Sequence, residues 1–191
     1  MARTPINYGT TAGDGTGDIL FTSFQKINNN LIDIYNKTGW AQYSDTVYTV
    51  GSPFVINSGV TSILPNNAGS NITTYLPSNV SAFYDQATTK ITPQNIGDYY
   101  GINIRFKAKN TNVNGVFDIG LDIGGSLGVI FKETFLFAKG AGVEQDFNIL
   151  ISGYSLTTFV ANGGIPKITS IVGDTSIYTI TYQISRTHKG N

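Results

Sequence analysis

The chain has 191 residues, no cysteine, and 12 basic and 12 acidic side chains that give a net charge of zero. Balanced charge offers no electrostatic surface for nucleic acid or an anionic membrane, and the missing cysteine excludes disulfides, thiol nucleophiles and thiolate-bound metals. Hydrophobic residues make up 40% of the chain and charged residues only 13%. We therefore expect a folded body with a polar, weakly charged surface.

The first residues, MARTPINYGTT, contain no apolar run of the kind found in a secretory signal. No stretch of the sequence approaches the roughly 18 apolar residues that a membrane helix needs. We expect a soluble protein that is made in a cytoplasm and has no membrane partner.

The first regular element is a helix, expected over residues 19–35. Asp18 is predicted to be its N-cap, where a carboxylate accepts hydrogen bonds from free backbone amides and favours the positive end of the helix dipole. Glycines at positions 13, 15 and 17 prevent an earlier start, and Gly39 lies beyond the end as a stop signal.

One face of this helix is apolar, and we call it the seam: Leu20, Phe24, Ile27, Leu31 and Ile34. Spacings of 4, 3, 4 and 3 residues are those of a coiled-coil interface. An ordinary amphipathic helix that packs on its own domain is the alternative.

Two features favour association between copies of the helix. A single helix of this length is marginally stable in water, and the asparagines at 28–30 are poor helix formers, so packing must hold the helix in place. The flanking Ile19, Phe21 and Ile32 widen the apolar stripe, which fits three strands better than two. We predict a parallel homotrimeric bundle.

The stretch GTTAGDGTGDILFTSFQKINNNLIDIY, residues 9–35, resembles a segment near the front of bacteriophage fibre and appendage proteins. In that segment a Gly-Asp-Gly-Thr-Gly-Asp loop, here residues 13–18, precedes a patterned helix that ends in Tyr. The matching helix positions are Phe24, Lys26, Ile27, Asn28, Asn30, Leu31 and Tyr35. The resemblance implies a trimeric virion part, close to its point of attachment.

Beyond Gly39 the sequence is typical of β-strands separated by Gly, Asn and Pro. Residues 102–109, INIRFKAK, predict a strand with Ile102, Ile104, Phe106 and Ala108 on one face and polar side chains on the other. In the last strand the even row from Tyr178 to Ile184 is expected to face the core or a neighbouring subunit. About eight strands with no helix among them, including TTFVANGG as a strand, predict an antiparallel sandwich or jelly roll.

The segments TTKITPQNIGDYYGINIRFKAK and GLDIGG also resemble the β-sandwich domain of phage head fibres and short tail appendages. That resemblance implies jelly rolls clustered around a threefold axis. The expected fold is thus mainly β: an antiparallel, jelly-roll-like sandwich over 39–191, preceded by an attachment loop and trimerisation helix over 1–38.

Residues for catalysis are sparse. His188 is the only histidine, which excludes a histidine triad or a multi-histidine metal site, and Arg186, His188 and Lys189 are expected to form a solvated tail. Asp118 and Asp122 share one strand face and are the candidate pair for a glycosidase, although solubility of a wet face is the simpler interpretation. We expect no catalytic residue, metal or cofactor.

Aromatic residues near strand ends are candidates for stacking on a sugar: Trp40, Tyr99, Tyr100 and Tyr154. Packing in the core or between subunits is the simpler interpretation of each.

These patterns together predict a non-enzymatic bacteriophage virion protein, a homotrimeric short fibre or decoration that contacts other virion proteins (capsid, neck or tail) through its N-terminal segment. The alternative in the same class is a receptor-binding tail-fibre tip that recognises host surface glycan. A glycan-cleaving enzyme and a cellular β-sandwich binding module, whose helix packs internally, are the alternatives from other classes.

Overall fold

The computed structural model describes residues 5–10 and 15–190. The helices and strands follow in chain order: α1 Leu20–Tyr35, β1 Gly39–Ser44, β2 Phe54–Ile56, β3 Thr61–Ile63, β4 Ser70–Ile72, β5 Tyr84–Asp85, β6 Lys90–Ile91, β7 Tyr99–Asn110, β8 Val116–Asp122, β9 Val129–Leu136, β10 Gln145–Tyr154, α2 Thr157–Asn162, β11 Ile165–Val172 and β12 Thr175–His188. The predicted start and end of the long helix are confirmed to within one residue. The division into segments 1–38 and 39–191 stays a prediction.

The strands form two main antiparallel sheets. The first has the order β10-β7-β12-β1-β4, with β2 also paired to β12, and the second has the order β3-β11-β8-β9. The chain passes between the sheets after β2, β3, β7, β9, β10 and β11, which is the winding of an eight-stranded jelly roll. The expected mainly β, antiparallel, jelly-roll-like fold is confirmed.

The core lies between these sheets and is rich in phenylalanine. Phe117 of β8 lies 5.8 Å from Phe106 of β7 and 4.8 Å from Phe147 of β10, measured between ring centroids. Along β7 the predicted alternation is confirmed, because Ile102, Ile104, Phe106 and Ala108 are all buried. These contacts across the sandwich place the core at the interface that the period-two pattern indicates.

The last strand departs from its predicted alternation at one point. Thr179 has a φ of 55°, and the pairing of β12 with β7 shifts between Tyr178 and Thr181. This bulge reverses the facing of the strand. Ile177 therefore joins the buried row with Ile180. Tyr178 is also buried, but it lies outside the core cluster, and its hydroxyl donates to Glu144.

The prediction that TTFVANGG is a strand was wrong, because residues Thr157–Asn162 form the short helix α2. The chain must turn here from β10 in one sheet to β11 in the other, and Phe159 is buried beneath the turn. Tertiary packing has overridden the local β propensity. Gly163, with a φ of 72°, ends the helix in a conformation that favours glycine.

Candidate assembly surface

The start of α1 corrects one predicted role. Ile19, not Asp18, occupies the N-cap position, and the side chain of Ile19 makes no capping hydrogen bond. The Asp18 carboxylate instead accepts hydrogen bonds from the Asn7 backbone amide at 2.9 Å and from Lys26 Nζ at 2.6 Å. The Lys26 contact and the Asn7 amide hold the pKa of Asp18 below its usual value.

The segment before the helix is tied to the helix start through Asn7. Asp18 donates its backbone amide to the carbonyl of Asn7 at 2.9 Å, and Asn7 Nδ2 donates to the carbonyl of Thr16 at 2.7 Å. A Cβ on Gly17 would lie 3.0 Å from the carbonyl carbon of Tyr8, so glycine permits this close approach. Residues 11–14, including part of the predicted Gly-Asp loop, lie outside the described residues.

All five seam side chains are exposed in the single chain. The exposed fractions are 71% for Leu20, 61% for Phe24, 40% for Ile27, 47% for Leu31 and 60% for Ile34. Ile19, Phe21 and Ile32 beside them are exposed as well. The chain thus presents a continuous apolar stripe along a helix about 24 Å long.

The partly covered side of α1 is its polar side. Among the α1 side chains that the structure describes, the half-buried ones are all polar: Thr22, Ser23, Lys26, Asn30 and Asp33. Ile6, from the segment tied to Asp18, borders a groove of about 530 Å³ whose lining includes Ile27, Leu31 and Ile34. Contacts among the described residues therefore cover the flank of the helix and leave the seam side chains exposed.

A buried ion pair joins the end of the helix segment to the sandwich. Arg186 donates from Nη1 to the Asp98 carboxylate at 3.3 Å and from Nε to the carbonyl of Lys37 at 2.8 Å. Asp98 also accepts from the Tyr100 hydroxyl at 3.0 Å and from the Gly190 backbone amide at 2.8 Å.

The expectation of a solvated tail at residues 186–189 was therefore wrong for Arg186, which is buried within β12. Burial raises the pKa of Tyr100, and the hydrogen bond from the Gln94 backbone amide opposes that rise only in part. Sequence reasoning missed this cluster because no local pattern connects Asp98 with Arg186, 88 residues later.

The two candidate glycosidase carboxylates are both held in ion pairs. Burial raises the pKa of Asp118. Lys132 Nζ and Thr134 Oγ1, each 2.6 Å from the carboxylate, outweigh this effect, so the net pKa of Asp118 lies below its usual value. Lys167 lowers the pKa of Asp122 in the same direction. Asp118 and Asp122 are four residues apart along β8, which corresponds to about 13 Å. The two carboxyl groups of a glycosidase are only roughly 5–9.5 Å apart. A general acid also needs a raised pKa, so this pair lacks both requirements.

The candidate sugar-binding aromatics lie at the end of the sandwich to which α1 is connected. Tyr100 is buried, which removes it from any surface site. Trp40 stacks on Tyr75 with ring centroids 5.0 Å apart, and Tyr99 contacts Tyr154 at 4.8 Å. Trp40 is on β1 and Tyr154 is on β10, and the strands β12 and β7 lie between these two strands in the sheet.

Among the residues that the structure describes, no cluster of three or more His, Asp or Glu side chains is arranged to bind a metal. In the same part of the chain, no helix combines the length and the apolar character needed to cross a membrane.

No protein-family model and no curated protein sequence matches this chain. Among solved structures it is similar to the Eiger TNF of S. frugiperda, with a TM-score of 0.49 and 7% identity over 80% of this chain and 95% of that one. It is also similar to the PRD1 vertex protein P5, with a TM-score of 0.46 and 13% identity over 78% of this chain and 72% of that one. A chain of infectious bursal disease virus, Gx strain, gives a TM-score of 0.41 and 13% identity over 81% of this chain and 33% of that one.

Proposed function

We propose that this protein is a bacteriophage virion structural protein that acts by assembly and not by catalysis. Three chains associate through the seam into a short fibre or decoration. The N-terminal segment and α1 contact another virion protein, and the jelly roll projects from the particle. The resemblance of residues 9–35 to phage appendage segments supports the virion setting.

The observation that carries the proposal is the exposure of the whole seam in a folded chain. Apolar side chains at coiled-coil spacing are stabilised by burial, and each Leu, Ile or Phe side chain contributes about 1.5–3 kcal/mol when fully buried. A helix of 16 residues is marginal without such burial. Copies of the same helix supply a complementary surface with the same spacing, and closed symmetry then limits the assembly to one size.

The position of the helix favours a fibre or decoration over a receptor-binding tip. The Lys37 carbonyl, at the exit of α1, is hydrogen-bonded to Arg186, which pairs with Gly39 and Tyr100 at one end of the sandwich. Tyr154, a candidate for sugar stacking, lies at this same end, next to Tyr99. If α1 points towards the particle, Tyr154 faces the particle as well, and the opposite end of the sandwich faces the solution.

Electron microscopy of purified particles tests the virion role. Particles from a phage carrying this gene, and from the same phage with the gene deleted, are labelled with a gold-conjugated antibody against the chain. The proposal expects gold at regular positions on the first particles and none on the second. Absence of the chain from purified, infectious particles would contradict it.

A further inference from the structure

The strand β10 is an open edge of the first sheet. It lies at the end of the strand order, pairs with β7 over ten residues and shows no shift in register. Its sequence, QDFNILISGY, contains no proline and no lysine. Proteins usually protect a long edge strand with such residues, with a bulge or with a cover, because its free backbone groups pair readily with another chain.

Apolar side chains lie on the outer side of this edge, and we call them the β10 patch: Leu150, Tyr154, Leu156 and Ile96. Their exposed fractions are 65%, 63%, 63% and 53%. Ser155 joins the two segments, since it accepts from the Gly97 amide at 2.7 Å and donates from Oγ to the Asn95 carbonyl at 2.6 Å. Among the described residues, the patch therefore combines a strand edge without a partner strand with four exposed apolar side chains, and the exposed Ser152 lies between Leu150 and Tyr154 on the same face.

The β10 patch lies close to the exit of α1. Arg186, which holds the Lys37 carbonyl, is paired with Tyr100 on the neighbouring strand β7, and Tyr99 on β7 is paired with Tyr154 on β10. Two strand spacings separate β12 from β10, which is about 10 Å. Chains held together at α1 consequently bring this edge near a neighbouring body.

The seam is a short contact surface. It consists of five side chains on a helix of four to five turns, whereas stable interfaces bury upwards of about 1,000 Å². The open edge and its apolar patch supply additional surface at the same end of the molecule. A second copy of this chain, already held nearby, meets the requirement for an occupant without any other protein.

We propose that the β10 patch is the contact surface between neighbouring jelly rolls of the assembled protein, and that it packs against the body of the next copy. This inference rests on the proposed assembly through α1. Threefold contacts are heterologous, so the patch of one chain meets a different surface of the next.

Single cysteines test the inference, because the chain contains none of its own. Leu150→Cys places a thiol in the patch, and Leu136→Cys is the matched control. Leu136 is also on an edge strand, β9, and its exposed fraction of 62% is close to the 65% of Leu150. Both full-length variants are labelled with a bulky maleimide, and each rate is divided by the rate in denaturant.

In the assembled protein we expect the thiol at 150 to react at least about tenfold more slowly than the thiol at 136, since reactivity follows exposure. Equal rates in a protein that sediments as a trimer would overturn the inference and leave the proposed assembly through α1 intact. A protein that sediments as a monomer would contradict the proposed assembly itself, and this inference with it.

A second pair of variants guards against a local effect of the cysteine. Leu150→Asp is expected to raise the concentration at which half of the trimer dissociates by at least about tenfold, because an apolar side chain is lost from the contact. Leu136→Asp is expected to leave this concentration unchanged. The same shift for both variants, or none for either, would also overturn the assignment.

Discussion

Arg186 donates a hydrogen bond from Nη1 to the carboxylate of Asp98 at 3.3 Å, and both side chains are almost completely buried. The same guanidinium binds the carbonyl of Lys37 at the exit of α1. Asp98 also accepts from Gly190, close to the end of the chain. This contact therefore connects the helix exit, the loop before β7 and the C-terminal residues, and it fixes the point at which α1 leaves the sandwich.

Replacement of Asp98 is expected to be severely destabilising. Asp98→Asn leaves the buried guanidinium of Arg186 without its counter-charge, and loss of one partner from a buried pair typically costs about 3–5 kcal/mol. The measurement is the free energy of unfolding in urea at fixed protein concentration. Asp146→Asn is the control, because Asp146 is exposed and 3.9 Å from Lys107, and should change the value by less than about 1 kcal/mol. Equal effects of the two substitutions would argue against a structural role for the buried pair.

Gly17 is expected to be required for the contact between Asn7 and Asp18. In Gly17→Ala the new Cβ would approach the backbone of Tyr8 and Gly9 within 3.0–3.1 Å, and backbone atoms cannot move aside as a flexible side chain can. We expect the amide of Asp18 to exchange with solvent about tenfold faster, measured by NMR. Gly51→Ala, whose Cβ would meet open space, controls for the loss of glycine flexibility. Unchanged exchange in Gly17→Ala would show that the segment accommodates the methyl group.

Acid is expected to weaken the sandwich through Asp118. Its folded pKa lies below the usual 3.8, so its ion pair contributes stability above that pH and loses it as pH falls through the folded pKa. The free energy of unfolding in urea should therefore decrease below about pH 4, and the decrease should be smaller in Asp118→Asn. An equally steep decrease in the variant would assign the acid sensitivity to other carboxylates.

The sequence predicted the features that depend on a short-range periodicity of apolar residues. The alternation of β7 and the stripe on α1 depend on neighbours two to four residues away, and both are present. The bulge at Thr179, the helix α2 and the burial of Arg186 depend on partners far along the chain, which no local pattern contains. Asp18 shows the same limit, since its partner Asn7 comes from a segment with no periodic signal.

The candidate site was predictable only in part, for a related reason. The sequence identifies the apolar side of the helix, and the structure adds that the sandwich leaves this side exposed. The identity of the surface that covers it belongs to the assembly. Its proposed trimeric state stays a prediction from the spacing and width of the stripe.

Charge placed in the seam is expected to prevent assembly. Phe24→Asp with Ile27→Asp would bury unpaired carboxylates between helices, which association cannot compensate. Gln25→Asp with Asn29→Asp is the matched control, since it adds the same charge to exposed polar positions outside the five-residue seam. Size-exclusion chromatography with light scattering should give a monomer for the seam variant and an unchanged assembly for the control. If light scattering gave the same assembly mass for the seam variant and the control, the seam would not be the surface that holds the chains together.

Sedimentation equilibrium of the unmodified full-length protein is the most direct test of the central claim that copies of α1 cover the seam. We expect a single species of about three times the 20.5 kDa chain mass at micromolar concentration. A species at the mass of one chain across that range, with the seam side chains still open to solvent, would contradict it.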